Sequence, residues 1–142
     1  ALLDFKIITK STQQLRQSYD AVLLEGAGGL LVPITEQLLT LDYIAEQDYP
    51  VILVTSGRLG SINHTLLSLE AIKARGLTLH SVIYNHIHDN AAQTDDEITN
   101  STIDYLKNYL ARHYPNSYWL QMAQQINSTI GNNNLALPLD FI

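Results

Sequence analysis

Residues Asp20–Pro33 read DAVLLEGAGGLLVP, an apolar run that ends in one carboxylate and a cluster of glycines. Ala21–Leu24 is short and uniformly apolar, which is typical of a strand buried on both faces in a parallel sheet. Such a strand would place Glu25 at its carboxyl end, where open α/β sheets bind their ligands. This stretch therefore predicts a parallel α/β fold with a ligand site beside Glu25.

The three glycines that follow Glu25 leave the backbone without side chains at Gly26, Gly28 and Gly29. Glycine backbone can take positive φ and can approach a phosphate or a metal ion closely. A carboxylate beside such backbone suits magnesium with a nucleotide, because magnesium prefers hard oxygen ligands and substrate phosphates. A tight turn after a core strand, with Glu25 exposed, explains the same residues.

The rest of the chain continues the alternation of helices and strands that βαβ units require. We predict helices over residues 2–18, Leu39–Gln47, Ser61–Arg75 and from Thr94 to before Pro115, and strands over Val51–Val54 and Leu79–Tyr84. Gly76 is the expected C-terminal stop of the third helix. The last helix is expected to turn one apolar side inward, formed by Ile98, Thr102, Tyr105, Leu106, Tyr109 and Leu110. Leu135–Ile142 is interpreted as a terminal extended segment, and residues 1–142 as one α/β domain.

A second candidate site opens the helix predicted at Ser61, in the sequence Gly60-Ser61-Ile62-Asn63. The first N–H groups of a helix have no partner within it, so they can bind a carboxylate or a phosphate. Ser61 is also a typical N-cap residue, and capping alone explains its position.

Composition restricts the class of protein. The chain has 142 residues, 46% hydrophobic and 15% charged, with a formal net charge of −6 and no cysteine. An acidic chain does not favour unspecific nucleic-acid binding, and the lack of cysteine excludes disulfides and thiolate chemistry. No apolar run reaches transmembrane length and no secretory signal opens the chain, so we expect a cytoplasmic protein without membrane partners. The first residue is Ala1, which suggests a piece of something longer.

Six short motifs occur in one order: Val22–Gly29, Val32-Pro33, Val51–Val54, Leu59–His64, Gly76-Leu77 and Asn85. Together they resemble dethiobiotin synthetase, the ATP-dependent enzyme of biotin synthesis, over about residues 10 to 90. The resemblance implies a P-loop NTPase-like three-layer fold with a mainly parallel sheet. It also implies a homodimeric ligase that forms the ureido ring of dethiobiotin from 7,8-diaminononanoate, CO2 and ATP.

The same resemblance implies roles for particular residues. Glu25 would be a magnesium ligand at the nucleotide, and Gly26, Ala27 and Gly28 would follow ATP and the diamine with their backbone. Asn85 would read the adenine, with His86 next to it. The substrate carboxylate would lie at Leu59, Gly60, Ser61, Ile62 and Asn63, across the dimer interface.

The chain departs from the family pattern at its start. It lacks the N-terminal strand, the Gly-x-x-x-x-Gly-Lys-Thr phosphate loop and the catalytic lysine, and His86 stands where related chains carry Asp. We therefore expect residues 1–142 to be the C-terminal portion of a dethiobiotin synthetase-like domain that is inactive by itself. Two alternatives remain: another ATP-dependent amide-forming enzyme of the same superfamily, similar to cobyrinate synthase, and a non-catalytic dimerising paralogue.

Overall fold

Four helices and three parallel strands make up the described part of the chain. The computed structural model describes residues 4–86 and 96–122, apart from the side chain of Asp96. The elements in chain order are α1 Phe5–Arg16, α2 Thr40–Gln47, β1 Val51–Ser56, α3 Ser61–Ala74, β2 Leu79–Asn85, α4 Asp96–His113 and β3 Tyr118–Met122. The predicted α/β architecture with a parallel sheet is confirmed.

The strands follow chain order in the sheet, β1-β2-β3, and both neighbouring pairs are parallel. Helix α3 connects β1 to β2 and α4 connects β2 to β3, as parallel pairing requires. At the carboxyl edge Ser56 pairs with Asn85, and Asn85 pairs with Met122. The three strand ends therefore lie side by side, with Asn85 in the middle.

The pairing of β1 with β2 contains one irregularity. Val51 pairs with Leu79, but the next residue, Ile52, pairs with Ser81, so His80 is an extra residue in β2. The extra residue shifts the alternation of side chains by one position, as in a β-bulge. This shift explains why Leu79 and Val82, three residues apart, are both buried in the same core cluster.

The core lies on one face of the sheet. Leu53, Val82 and Trp119 form a row of paired residues across the three strands. The row belongs to one core cluster with Val51 and Leu79 of the strands and with Leu41, Leu69, Ile72 and Leu110 of α2, α3 and α4. On the opposite face of β1, Ile52 and Val54 remain 39% and 55% exposed. Within residues 4–86 and 96–122, the buried core is therefore built from the α3 and α4 side.

The strand predicted at Ala21–Leu24 is wrong for this structure. Residues 21–26 form neither helix nor strand, and Leu23 and Leu24 are 85% and 44% exposed. A strand buried on both faces needs neighbours that pair its backbone. Among the described strands none pairs with residues 21–24, so apolar composition alone does not make a strand there.

Two smaller predictions also need correction. The N-cap of α3 is Gly60 rather than Ser61. Helix α4 buries Thr99, Ile103, Leu106 and Leu110, whereas Ile98 and Tyr105 of the predicted inward face are 57% and 47% exposed. The buried residues and the residues predicted to face inward both have helical spacing. The mostly aliphatic set is the one that packs against the sheet, and Tyr105 keeps its hydroxyl in contact with water. Strand β3 was not predicted, and Thr94, Asp95 and Leu135–Ile142 lie outside the described residues.

Candidate functional site

The glycine loop, residues 26–32, takes backbone conformations that favour glycine. Gly28 and Gly29 have φ of 89° and 113°, which side-chain-bearing residues rarely adopt. A Cβ added at Gly28 would lie 3.0 Å from Val32 Cγ2, and one added at Gly26 would lie 2.9 Å from Thr40 Cγ2. Two of the three glycines after Glu25 thus lie where little space is left for a side chain.

The loop is tied to the start of α2 by three hydrogen bonds. The backbone N–H of Thr40 donates to Val32 O at 2.9 Å, and the hydroxyl of Thr40 donates to the same oxygen at 3.0 Å. Leu41 N–H donates to Leu30 O at 2.9 Å. These bonds hold the glycine loop against a helix whose Leu41 is fully buried, so the loop has a rigid support.

Helix α2 is in turn fixed to the end of α3 by an ion pair. Arg75 Nε donates to Asp42 Oδ1 at 2.7 Å, and Leu39 N–H donates to Asp42 Oδ2 at 3.3 Å. The hydrogen bond from Arg75 lowers the pKa of Asp42 below its ordinary value of 3.8, against the smaller opposing effect of desolvation. Helix α2, which supports the glycine loop, is therefore linked to α3, which begins at the turn after β1.

The turn from β1 into α3 is held by hydroxyl pairs. Thr55 Oγ1 and Thr65 Oγ1 are 2.6 Å apart in a buried hydrogen bond, and Ser56 Oγ and Ser61 Oγ are 3.3 Å apart. Gly60 begins the helix with φ of 86°, in the left-handed region that glycine adopts most readily. The end of the strand and the first turn of α3 thus form one bonded unit.

The first turn of α3 leaves donors open. Ser61 N–H donates to Arg58 O at 2.9 Å and His64 N–H donates to Gly60 O at 3.0 Å. The N–H groups of Ile62 and Asn63 have no acceptor among residues 4–86 and 96–122. Free N–H groups at a helix start favour an anion, because the helix dipole is positive there.

The end of β2 carries Asn85 and His86. Asn85 lies at the carboxyl edge of the sheet, paired with Ser56 in the β1 ladder. His86 Nε2 and Gln121 Oε1 are 3.0 Å apart, and the imidazole meets the ring of Tyr84 edge-on at 4.8 Å. The imidazole is therefore held against β2 and β3, while Asn85 lines the cleft described next.

A cleft of about 640 Å³ lies over the carboxyl ends of β1 and β2. Its lining comes from the glycine loop, β1, the following turn, α3 and the last residue of β2: Gly28, Gly29, Leu53, Val54, Thr55, Ser56, Arg58, Leu59, Ser61, His64, Thr65, Ser68 and Asn85. Clefts of this size at strand ends are typical ligand sites in α/β proteins.

The cleft brings together only part of the residues assigned by resemblance. Gly28, Leu59, Ser61 and Asn85 line it. The other assigned residues, which are Glu25, Gly26, Ala27, Gly60, Ile62, Asn63 and His86, lie in adjoining segments and are not part of this lining. Glu25 is exposed on the segment that leads into the glycine loop.

Sequence reasoning missed several lining residues, among them Thr55, Arg58, Thr65 and Ser68. A signal was present for three of them. Thr55 follows a predicted strand directly, as Glu25 was expected to do, and strand ends are where ligands bind. Thr65 and Ser68 stand four and seven residues after Ser61, which places them on the same helical face.

Comparisons of the sequence with known proteins agree with the motifs. The "ATP-dependent dethiobiotin synthetase BioD 2" of Pasteurella multocida is 49% identical over 115 residues, which are 81% of this chain and 52% of that protein. The protein of the same name from Haemophilus influenzae is 64% identical over 83 residues, 58% of this chain and 44% of that protein. The resemblance to dethiobiotin synthetases is confirmed, and the chain spans about half the length of these curated relatives.

The family comparison covers most of the chain. Residues 3–113 match the family model described as "AAA domain". Separately, no helix in the part of the chain that the structure describes is long and apolar enough to cross a membrane. The match over residues 3–113, together with the parallel α/β sheet, shows that the chain belongs to this AAA-domain family and has the predicted P-loop NTPase-like fold class.

Proposed function

We propose that the complete gene product is an ATP-dependent dethiobiotin synthetase, a ligase that forms the ureido ring of dethiobiotin from 7,8-diaminononanoate and CO2. The observation that carries this proposal is the cleft that joins Gly28, Ser61 and Asn85. These residues come from three separate segments, and the resemblance gives each segment a part in binding nucleotide or diamine. The similarity to the BioD 2 proteins supports the same activity.

The proposed reaction has three steps. One amine of the substrate adds to CO2 and becomes a carbamate. A carbamate oxygen then attacks the γ-phosphorus of ATP, and ADP leaves. The second amine attacks the carbamate carbon and phosphate leaves, which closes the ring. Because carbamate and amine belong to one molecule, ring closure is intramolecular and needs only a correctly held substrate.

The glycine loop is proposed as the nucleotide side of the site. The positive φ of Gly28 gives backbone without a side chain that a phosphate can approach. Asn85 presents a side-chain amide, whose donor and acceptor groups suit the edge of adenine. His86, held by Gln121, would lie next to the base.

Glu25 is the proposed magnesium ligand. The described residues contain no cluster of three His, Cys, Asp or Glu side chains that could hold a metal by themselves. A single exposed carboxylate still fits magnesium, which is often held by one or two carboxylates and otherwise by waters and substrate phosphates. When bound, magnesium would offset charge on the transferring phosphoryl group.

The start of α3 is proposed as the diamine side. The open N–H groups of Ile62 and Asn63 suit the substrate carboxylate, and Leu59 offers an apolar surface to the aliphatic chain. The resemblance implies a homodimer in which this helix start faces the glycine loop of the partner subunit. The cleft within one chain, which has both Gly28 and Ser61 on its lining, is the alternative arrangement.

The proposal is tested with the complete gene product, ATP, magnesium, bicarbonate and 7,8-diaminononanoate. We expect dethiobiotin by mass spectrometry and one ADP for each ring closed. ADP release that does not depend on the diamine would favour another ATP-using enzyme of the superfamily. Binding of neither ATP nor the diamine would favour a non-catalytic paralogue.

A further inference from the structure

The charge of the cleft differs from that of the whole chain. The chain carries a formal net charge of −6, yet no Asp or Glu occurs among the residues of 4–86 and 96–122 that line the cleft. Arg58 is the lining residue with a permanent charge, and His64 is the other one that can become cationic. An acidic protein thus presents a cleft whose lining is positive, which favours an anionic ligand.

The guanidinium of Arg58 has no protein partner within residues 4–86 and 96–122. The ion pair in these residues joins Arg75 to Asp42. The hydrogen bond that Arg58 makes there is through its backbone carbonyl, which accepts from Ser61 N–H. Arg58 is exposed at the cleft, so its five N–H donors are open to a ligand. A guanidinium pairs best with a planar carboxylate or with a phosphate, in a two-point contact.

The neighbours of Arg58 decide between these two anions. Leu53, Val54 and Leu59 supply apolar surface to the same cleft, and Leu59 is fully exposed. A triphosphate carries several charges and normally needs several cations or a metal ion beside it. One guanidinium beside apolar side chains instead fits a ligand with one carboxylate at the end of an aliphatic chain.

We propose that Arg58 binds the terminal carboxylate of the aliphatic diamine and thereby selects substrates that carry this group. The inference rests on the proposed function and adds to it a residue that determines specificity. Arg58 supplies a charged two-point contact, while the N–H groups at the start of α3 supply neutral donors. The amines at the other end of the substrate remain free to react.

The test compares two ligands that differ only in the carboxylate, 7,8-diaminononanoate and 2,3-diaminooctane. Binding to the complete gene product is measured by calorimetry without ATP, and turnover by steady-state kinetics. We expect Arg58→Gln to weaken binding of the acid about 10- to 100-fold, the effect of losing a hydrogen bond to a charged group. Binding of 2,3-diaminooctane and the KM for ATP should stay unchanged.

Two further variants make the test specific. Arg58→Lys should recover part of the affinity for the acid, because lysine keeps the charge but not the two-point geometry. Lys73→Gln removes an exposed cation from the last turn of α3, away from Arg58 in the turn before this helix, and should have no effect. The 2,3-diaminooctane control also separates the carboxylate from the carbamate, since both diamines form a carbamate with CO2.

Three results would overturn the inference. Equal weakening of both diamines by Arg58→Gln would mean that Arg58 only supports the local structure. A raised KM for ATP alone would assign Arg58 to the phosphates. Failure of the unaltered protein to bind or convert either diamine would exclude the proposed function and this inference together. This case is recognised in the unaltered protein, whereas the other two results are seen only in Arg58→Gln.

Discussion

The side-chain hydroxyls of Thr55 and Thr65 lie 2.6 Å apart and form a buried hydrogen bond between β1 and α3. Thr55 is 8% exposed and Thr65 is 4% exposed, so water cannot replace either partner. Thr55→Val should therefore leave the hydroxyl of Thr65 unsatisfied. We expect the free energy of unfolding to fall by about 1–3 kcal/mol, measured by urea denaturation.

The double variant Thr55→Val with Thr65→Val provides the internal check. Replacing both partners by side chains of the same shape removes the unsatisfied group, so the double variant should be more stable than Thr55→Val alone. Thr78→Val, at an exposed threonine outside the strands, should change stability by less than about 0.5 kcal/mol. Additive losses in the double variant would contradict the pairing.

The ion pair between Asp42 and Arg75 should make stability depend on pH. Arg75 lowers the pKa of Asp42, so the pair stabilises the fold above 3.8, where the carboxylate is charged in both the folded and the unfolded chain. That contribution is lost as the pH falls from 3.8 through the lowered pKa. Arg75→Gln should lower the urea midpoint slightly at pH 7 and lose this effect in acid. Lys73→Gln, the same charge change without the pair, should show no such dependence on pH, and a difference that persists unchanged in acid would argue against the pair.

Glu25→Gln should remove turnover and leave the fold intact. An amide cannot supply the negative charge that a magnesium ligand offers, and we expect kcat to fall roughly a hundredfold or more. The melting temperature should barely move because Glu25 is exposed. The measurement is magnesium-dependent ADP release by the complete gene product. Near-normal release in this variant would exclude Glu25 as the ligand.

Gly60→Val should separate binding of the diamine from binding of ATP. Gly60 has φ of 86°, and a β-branched residue in that conformation would distort the turn that begins α3. We expect the KM for the diamine to rise roughly tenfold, which corresponds to 1.4 kcal/mol, with little change in the KM for ATP. Gly76→Val is the control, since Gly76 has φ of 65° at the other end of α3 and should cost stability without changing either KM. An equal change in both KM values at Gly60 would point to general unfolding.

Mixing the inactive variant Glu25→Gln with the impaired variant Gly60→Val, at a diamine concentration below the raised KM, tests whether the site is shared between subunits. If α3 of one subunit faces the glycine loop of its partner, heterodimers of Glu25→Gln and Gly60→Val contain one intact site. Part of the activity should then return on mixing. No recovery, with subunit exchange shown by mass spectrometry, would mean that each site is built from one chain.

The sequence predicted the parts of the fold that local pattern controls. The strands beginning at Val51 and Leu79, α2, α3 and the stop at Gly76 follow from apolar runs, helical spacing and glycine chemistry. What it did not predict depends on tertiary partners. Ala21–Leu24 has the composition of a buried strand, yet a strand forms only where another strand pairs with it.

The residues of the candidate site likewise fall into those that the sequence indicated and those that it did not. Gly28, Ser61 and Asn85, which the resemblance assigned to the site, line the cleft, and their roles in binding stay predictions. Arg58 was not found because an arginine in a polar turn looks like any solvated surface residue. Its significance comes from its neighbours in the cleft, which only the folded chain brings together and which include no Asp or Glu in the part of the chain that the structure describes.

The extra residue His80 in β2 has a consequence for changes in chain length. Removing His80 would leave Ser81 and Val82 opposite Ile52 and Leu53, so Asn85 would still end level with Ser56. Removing a residue farther along β2 would instead turn Asn85 to the opposite face of the sheet, because side chains alternate along a strand. A one-residue deletion at the start of β2 should thus keep Asn85 at the cleft, whereas a deletion near the end of β2 should remove it from the cleft. Among divergent homologues, one-residue insertions and deletions should accordingly occur at the start of β2 and be missing near its end.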